Sequence, residues 1–264
     1  MDVSKQIVSL WQKCFSDSAK TIRDFYNSFD CEGNIIIAHE KNGEIKISRG
    51  FSEAKKIVGI VNRVPVKFHF GNSVTDGAYL YGCCVDEAYR NRGIFTDMIN
   101  NAASDCDFLC LIPQCDTLFE VYRKLGFVDC LPSSFPFECD MTAFDGLDME
   151  ICSDASVLAK FDGKKSCDGF TAPKSFVNFV TQNLPENSVF TVYDGEKKEA
   201  GYIVLEKVDD DRVKILDMYI PSYENDAIRA LYALAEGQKH EKSLVRFANG
   251  RKIAVPALNR FGEY

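Results

Sequence analysis

The sequence predicts an α/β chain whose second half partly repeats the first, and three observations carry that reading. A strand-like run at 78–85, a helix-like run at 94–103 and a buried-looking strand at 107–112 follow one another as a β-α-β unit. Hydrophobic residues make up 46% of 264, enough for one large core or two of ordinary size. After a polar, turn-rich passage at 142–148 the alternation of helices and strands resumes, which places a break near Phe144.

At the start, Val3, Ile7, Leu10, Trp11 and Cys14 recur at helical spacing, then Ile22, Phe25 and Phe29 do so more loosely, with Asp17 expected to cap the second helix. Strands are expected at 34–39 and 56–70, the second rich in β-branched and aromatic residues but broken or edged at Pro65. In the run at 94–103, Ile94, Met98, Ile99 and Ala102 fall on one helix face. Asp116 is expected to cap a further helix bearing Leu118, Val121, Tyr122 and Leu125 on one face, ended by Gly126. Strands follow at 127–130 and 135–141. Beyond the break come a helix at 175–182, strands at 188–193, 200–208 and 213–220, and a helix at 225–236.

The net charge of −8 opposes a general nucleic-acid binder, whose affinity comes mainly from cations set against phosphates. Eleven cysteines, an odd number without framework spacing, suit reduced thiols better than disulfides. The first residues form no signal peptide, and no window approaches the roughly 18 apolar residues of a spanning helix. A soluble, cytoplasmic protein without a membrane partner is expected, with its state left open between monomer and homo-oligomer.

The turn Tyr89-Arg90-Asn91-Arg92-Gly93-Ile94-Phe95 joins the first strand of the β-α-β unit to its helix. Two arginines flank backbone that a glycine lets approach a ligand, and the helix N-terminus points free amides at the same place. An anion is the expected guest. The equivalent place in the second half, 221–226, holds two acids and no glycine, so the chain is expected to bind one such ligand, in its first half.

These residues resemble the GNAT family of acetyl-CoA-dependent N-acetyltransferases. The family's pyrophosphate motif, Arg/Gln-x-x-Gly-x-Gly/Ala, matches Arg90 to Ile94 and departs at Phe95, where a small residue is usual. Cys83-Cys84-Val85 stands where the family's splayed strand offers backbone groups to pantetheine. Phe119 to Phe127 is similar to the family's Tyr-x-x-x-Gly-Phe helix end. The large Phe95 and a degenerate second half resemble the Eis-like branch, two fused modules here without the sterol-carrier-like third domain.

The resemblance implies a GNAT fold with a central mixed sheet flanked by helices, an acetyl-CoA-binding catalytic module at 1–143 and a degenerate one at 144–264. It implies transfer of acetyl from acetyl-CoA to a primary amine on a small molecule or peptide, with no metal. The alternative is an acyl-CoA-binding or interaction module without turnover. Cofactor contacts fall to Cys83, Cys84, Val85, Arg90, Asn91, Arg92, Gly93, Ile94 and Phe95, and Tyr122 becomes the candidate acid. Periodicity alone makes Tyr122 a core aromatic, and Phe95 fits a core position as well as a site. No base stands out: Glu138, His69 and His39 are each better read as structural or exposed. The acids Asp209, Asp210, Asp211 and Glu224 would favour a cationic acceptor, although such runs are usually solvated loops. For Cys83 with Cys84, a shared metal is disfavoured because neighbours on a strand face opposite ways.

Overall fold

The computed structural model describes residues 5–28, 30–50, 56–70, 72–132, 137–152, 156–162, 169–184, 186–221, 225–237 and 242–247. Helices α1 (Lys5–Phe15) and α2 (Ala19–Asn27) each bury one apolar stripe, Ile7, Leu10 and Trp11 on the first and Ile22, Phe25 and Tyr26 on the second. Ser18, not Asp17, caps α2: its hydroxyl accepts from the Thr21 amide at 3.0 Å. Asp17 instead accepts from Trp11 Nε1 at 2.6 Å, since a buried indole N–H needs a partner.

Four strands follow, β1 (Ile35–Lys41), β2 (Glu44–Arg49), β3 (Ile57–Phe70) and β4 (Ser73–Val85). The β1–β2 hairpin was not expected. Asn42 and Gly43, with φ of 54° and 82°, make its two-residue turn. Pro65 does not break β3: it pairs with Ala78 of β4, and β1 pairs with β3 only as far as Asn62, so the missing N–H faces a side that β1 no longer covers.

The chain then gives α3 (Ile94–Ala102), β5 (Phe108–Leu111), α4 (Asp116–Lys124) and β6 (Val128–Pro132). Strands β4 and β5 are parallel with α3 between them, the expected β-α-β unit. Asp116 is the first residue of α4 rather than its cap; Cys115 takes the cap position and makes no capping side-chain bond. Next come β7 (Phe137–Asp140), β8 (Asp148–Ile151), α5 (Ser156–Asp162), β9 (Gly169–Thr171) and α6 (Lys174–Gln182). Strands β10 (Val189–Tyr193), β11 (Glu199–Lys207) and β12 (Arg212–Tyr219), helix α7 (Asp226–Gly237) and strand β13 (Lys242–Phe247) complete the described elements.

One sheet has the order β2-β1-β3-β4-β5-β13-β6, with β9 paired to β3. It is mixed, because β4 and β5 are parallel while β13 runs antiparallel to β5. The α/β class and helix-flanked mixed sheet are as expected. A second sheet has the order β7-β12-β11-β10-β8. The chain forms two compact units from interleaved segments: Met1–Asp129 with Phe170–Phe179 and Leu244–Ala254, and Cys130–Gly169 with Val180–Ser243 and Val255–Tyr264. In the first unit Ile36, Val61, Met98, Ile99 and Leu109 centre the core; in the second, Ile203, Ile215 and Leu231 do so. No helix among the described residues is long and apolar enough to cross a membrane.

A charged network ties β2 and β3 to the end of α3. Arg63, 5% exposed, bonds Asp105 at 2.6 Å, and Arg49 reaches the same carboxylate, the Asn101 carbonyl at 2.6 Å and Ser104 at 2.9 Å. The bond from Arg49 holds the Asp105 carboxyl below its ordinary range, with the charge of Arg63 adding to it. A depressed carboxyl contributes stability above its unfolded pKa of about 4 and loses it as pH falls through the folded value. Replacing Asp105 by Asn is expected to cost about 1–3 kcal/mol, because Arg63 is left buried with a weaker partner. Urea unfolding at pH 7 and pH 3 checks this; the mutant penalty should shrink at the lower pH.

Candidate active site

The site begins where β4 and β5 part. Their parallel pairing covers only Gly77–Phe108, Ala78–Leu109 and Tyr79–Cys110, while β4 runs on to Val85. Within that extension β4 carries a bulge: Asn62 opposes Tyr81 and Ile60 opposes Cys84, so β4 spends one residue more than β3. Gly82 sits in the bulge at φ +55°, and a Cβ there would lie 2.5 Å from the Trp11 ring. Only glycine meets both conditions. Asn62, wholly buried, donates from Nδ2 to the carbonyls of Tyr81 (3.0 Å) and Gly82 (3.4 Å).

After β4 a short 3-10 turn, Glu87–Tyr89, is capped by Asp86, which accepts from the Ala88 amide at 3.0 Å and pairs with Lys13 at 3.0 Å. The loop then takes Asn91 to φ +61° and Gly93 to φ +77°. Gly93 holds the N-cap position of α3, no side chain caps that helix, and a Cβ on Gly93 would meet nothing within 4 Å. The start of α3 therefore has no side-chain cap and lies next in sequence to exposed Arg90, Asn91 and Arg92. The arginines also brace the loop: Arg90 Nε donates to the Val85 carbonyl at 3.1 Å, and Arg92 donates to the Ala88 carbonyl at 3.0 Å while lying 5.0 Å from the centre of the Tyr89 ring. Tyr89 in turn donates to Glu40 at 2.6 Å and is bonded by Lys56.

Tyr122 lies in the last turn of α4, 7% exposed, edge-on to Phe95 at 5.8 Å and to Phe127 at 5.4 Å. Burial raises its phenol well above the ordinary value, and the Cys83 thiol and Tyr79 phenol nearby raise it further. The phenol is a standing hydrogen-bond donor. Phe95 packs edge-on against Tyr122, and Ile94 is buried in the same core.

Comparison with known proteins agrees with this geometry. The acetyltransferase (GNAT) domain family matches residues 2–128. The whole chain is similar in fold to three solved structures. A GCN5-related N-acetyltransferase from Anabaena variabilis aligns with TM-score 0.62 at 15% identity, over 93% of this chain and 70% of that one. One from Kribbella flavida aligns with TM-score 0.55 at 14% identity, over 96% and 65%. Eis1 from Mycobacterium abscessus aligns with TM-score 0.54 at 12% identity, over 86% and 70%. The chain thus spans about two thirds of the length of these structures, and at such identities the likeness is one of fold. No curated protein sequence matches the chain.

Within residues 2–128 the expected cofactor residues lie between Cys83 and Phe95, but their side chains part company. Cys83 is half-buried and burial pushes its thiol up to about 12. Cys84 instead bonds Cys14 of α1; that bond and the charge of Arg90 lower Cys14 to about 7. The Val85 carbonyl is engaged by Arg90. Among the described residues no group of three metal-type side chains gathers. His39 is buried against Ser48, His69 bonds Thr171 at 3.0 Å, and Glu138 faces Arg212 at 3.4 Å. Asp209 pairs with Arg212 and Asp210 with Lys207, while Glu224 lies outside the described residues. Sequence reasoning missed Asn62, Gly82 and Trp11. A polar Asn inside an apolar strand, and a glycine between Tyr81 and Cys83, were the available signals.

Titration of tyrosinate absorbance should show Tyr122 silent below pH 10: a folded pKa above the ordinary value of about 10 keeps the proton on. Wild type minus Tyr122→Phe is the difference to measure, and a tyrosinate signal appearing in it by pH 9 would contradict the burial of the phenol.

Proposed function

We propose that the protein is an N-acetyltransferase that moves the acetyl group of acetyl-CoA to a primary amine. The observation that carries this reading is the parting of β4 from β5 next to an uncapped helix N-terminus and a buried, protonated Tyr122. Open β4 edge suits an extended, amide-bearing arm such as pantetheine, which adds to a sheet edge by backbone bonds. The loop Arg90 to Gly93 and the first amides of α3 suit a pyrophosphate. Cys83 and Val85 supply backbone groups, and Cys84 holds the far face.

In the reaction the neutral amine attacks the thioester carbonyl carbon, a C–N bond forms and negative charge gathers on oxygen. The C–S bond then breaks, and the electrons leave on sulfur. The thiolate, whose thiol has a pKa of about 8.5, is a weaker base than the phenolate of a phenol shifted above about 10, so the proton stays on Tyr122, which stabilises the leaving sulfur chiefly by donating a hydrogen bond. The amine proton passes to water or to the acceptor's own surroundings.

The second unit reads as a degenerate copy of the first, in a tandem, Eis-like arrangement. Val204 opposes Asp217 and Leu205 opposes Ile215, which leaves Leu216 as an extra residue on β12, and β7 pairs with β12 only over Arg212 to Ile215. That echoes the bulge and parting of β4. Its helix start differs from that of α3: Asn225 Oδ1 accepts from the Ala227 amide at 2.7 Å, where α3 has no side-chain cap. The acceptor is a small-molecule or peptide amine, and a cytoplasmic setting suits the free cysteines.

A second reading, acyl-CoA binding without turnover, is favoured by one observation, the lodging of Tyr122 between Phe95 and Phe127 in the core. CoA release from acetyl-CoA over a panel of amines separates the two. Turnover is expected, and Tyr122→Phe should lower kcat about 100-fold or more. Acetyl-CoA at 100 times its Kd should stabilise the protein by about 2.7 kcal/mol, seen as a rise in Tm. A Tm rise without CoA release from any amine would select the binding reading, and no Tm rise would remove both.

A further inference from the structure

Asn62 has no access to solvent, and its strand neighbours Val61 and Val64 belong to the apolar interior. A β-branched apolar residue is what such a position ordinarily takes. All three of its side-chain bonds serve one place. Nδ2 donates to two consecutive carbonyls of the bulge, Tyr81 and Gly82, and Oδ1 accepts from the Tyr26 hydroxyl at 2.8 Å.

Tyr26 sets the orientation of that amide. Burial holds the Tyr26 phenol protonated, so it donates to Asn62; the carbonyl end of the amide must face α2 and its NH2 end must face the bulge. The peptide joining Gly82 to Cys83 is planar, and in a trans peptide the N–H points opposite to the C=O. With the Gly82 carbonyl drawn to Asn62, the Cys83 N–H is turned away from it, on the stretch of β4 that has lost its β5 neighbour.

We propose that Asn62, oriented by Tyr26, is a positioning residue for acetyl transfer. It fixes the bulge so that the Cys83 amide donates to the thioester oxygen as charge develops there. The inference rests on the acetyl-transfer reading. Asn62 touches no substrate; it acts through a backbone donor whose aim matters more in the transition state than in the ground state. Loss of Asn62 therefore falls on kcat rather than on cofactor affinity.

The test uses the full chain with acetyl-CoA and an amine that the wild type acetylates. Asn62→Leu, close in volume and without donors, is expected to lower kcat by about 10- to 100-fold. Its Kd for CoA, from calorimetry, should stay within about threefold of wild type, a shift worth under 1 kcal/mol. Tyr26→Phe keeps Asn62 but frees its amide to turn over, and should lower kcat by a smaller factor; it carries the test if Asn62→Leu does not fold. Unchanged kcat in the variants, with an active wild type, overturns the role of Asn62 alone. A kcat that falls only in step with CoA affinity or folded fraction shows a merely structural residue and overturns it too. A wild type that binds CoA but acetylates no amine overturns the acetyl-transfer reading and this inference with it.

Discussion

The rest of the site depends on one local constraint, the left-handed Gly82 pressed under the Trp11 ring. An extra residue at that point bends β4, and a bent strand leaves its parallel neighbour after three residue pairs. The opening helices serve the same end. Asp17 holds the indole, and Phe25, Tyr26 and Tyr81 surround it with ring centroids 5.2 to 5.9 Å away, so α1 and α2 clamp the bulge from one face. Core packing and site geometry are thus the same set of contacts.

Charge is arranged against the grain of the chain. The protein is acidic overall, at −8, yet the loop after β4 gathers Arg90 and Arg92 beside an uncapped helix start. Neighbouring acids do not cancel it, because Asp86 is occupied by Lys13 and Glu40 by Lys56 and Tyr89. In the second unit Asn225 Oδ1 accepts from the Ala227 amide at the start of α7.

The features that the sequence made legible were those with short-range causes. The periodic faces of α1 and α3, the β-α-β unit and the Arg-x-x-Gly turn all rest on neighbours within a few residues. The Asn42-Gly43 turn was of that kind and should have announced the β1–β2 hairpin. Cap residues were misassigned by one position at Asp17 and Asp116, where two adjacent polar residues compete and tertiary partners decide. Asn62 could not be read as it is, because its partners come from α2 and from the far side of the β3–β4 hairpin. Phe95, awkward for the family's motif, is explained only by the ring of Tyr122 standing beside it.

Strand β13 carries a temporal consequence. It pairs antiparallel with β5, Leu244 opposite Leu111 and Phe247 opposite Phe108, and separates β5 from β6 in the first sheet. During synthesis β5 leaves the ribosome more than a hundred residues before its partner does, at about 5–20 residues per second. For those seconds the nascent sheet exposes an unsatisfied edge made of Phe108, Leu109, Cys110 and Leu111, the kind of edge that recruits foreign strands. Most of the first sheet is N-terminal in the chain, but the strand that covers β5 is made near the end of the sequence.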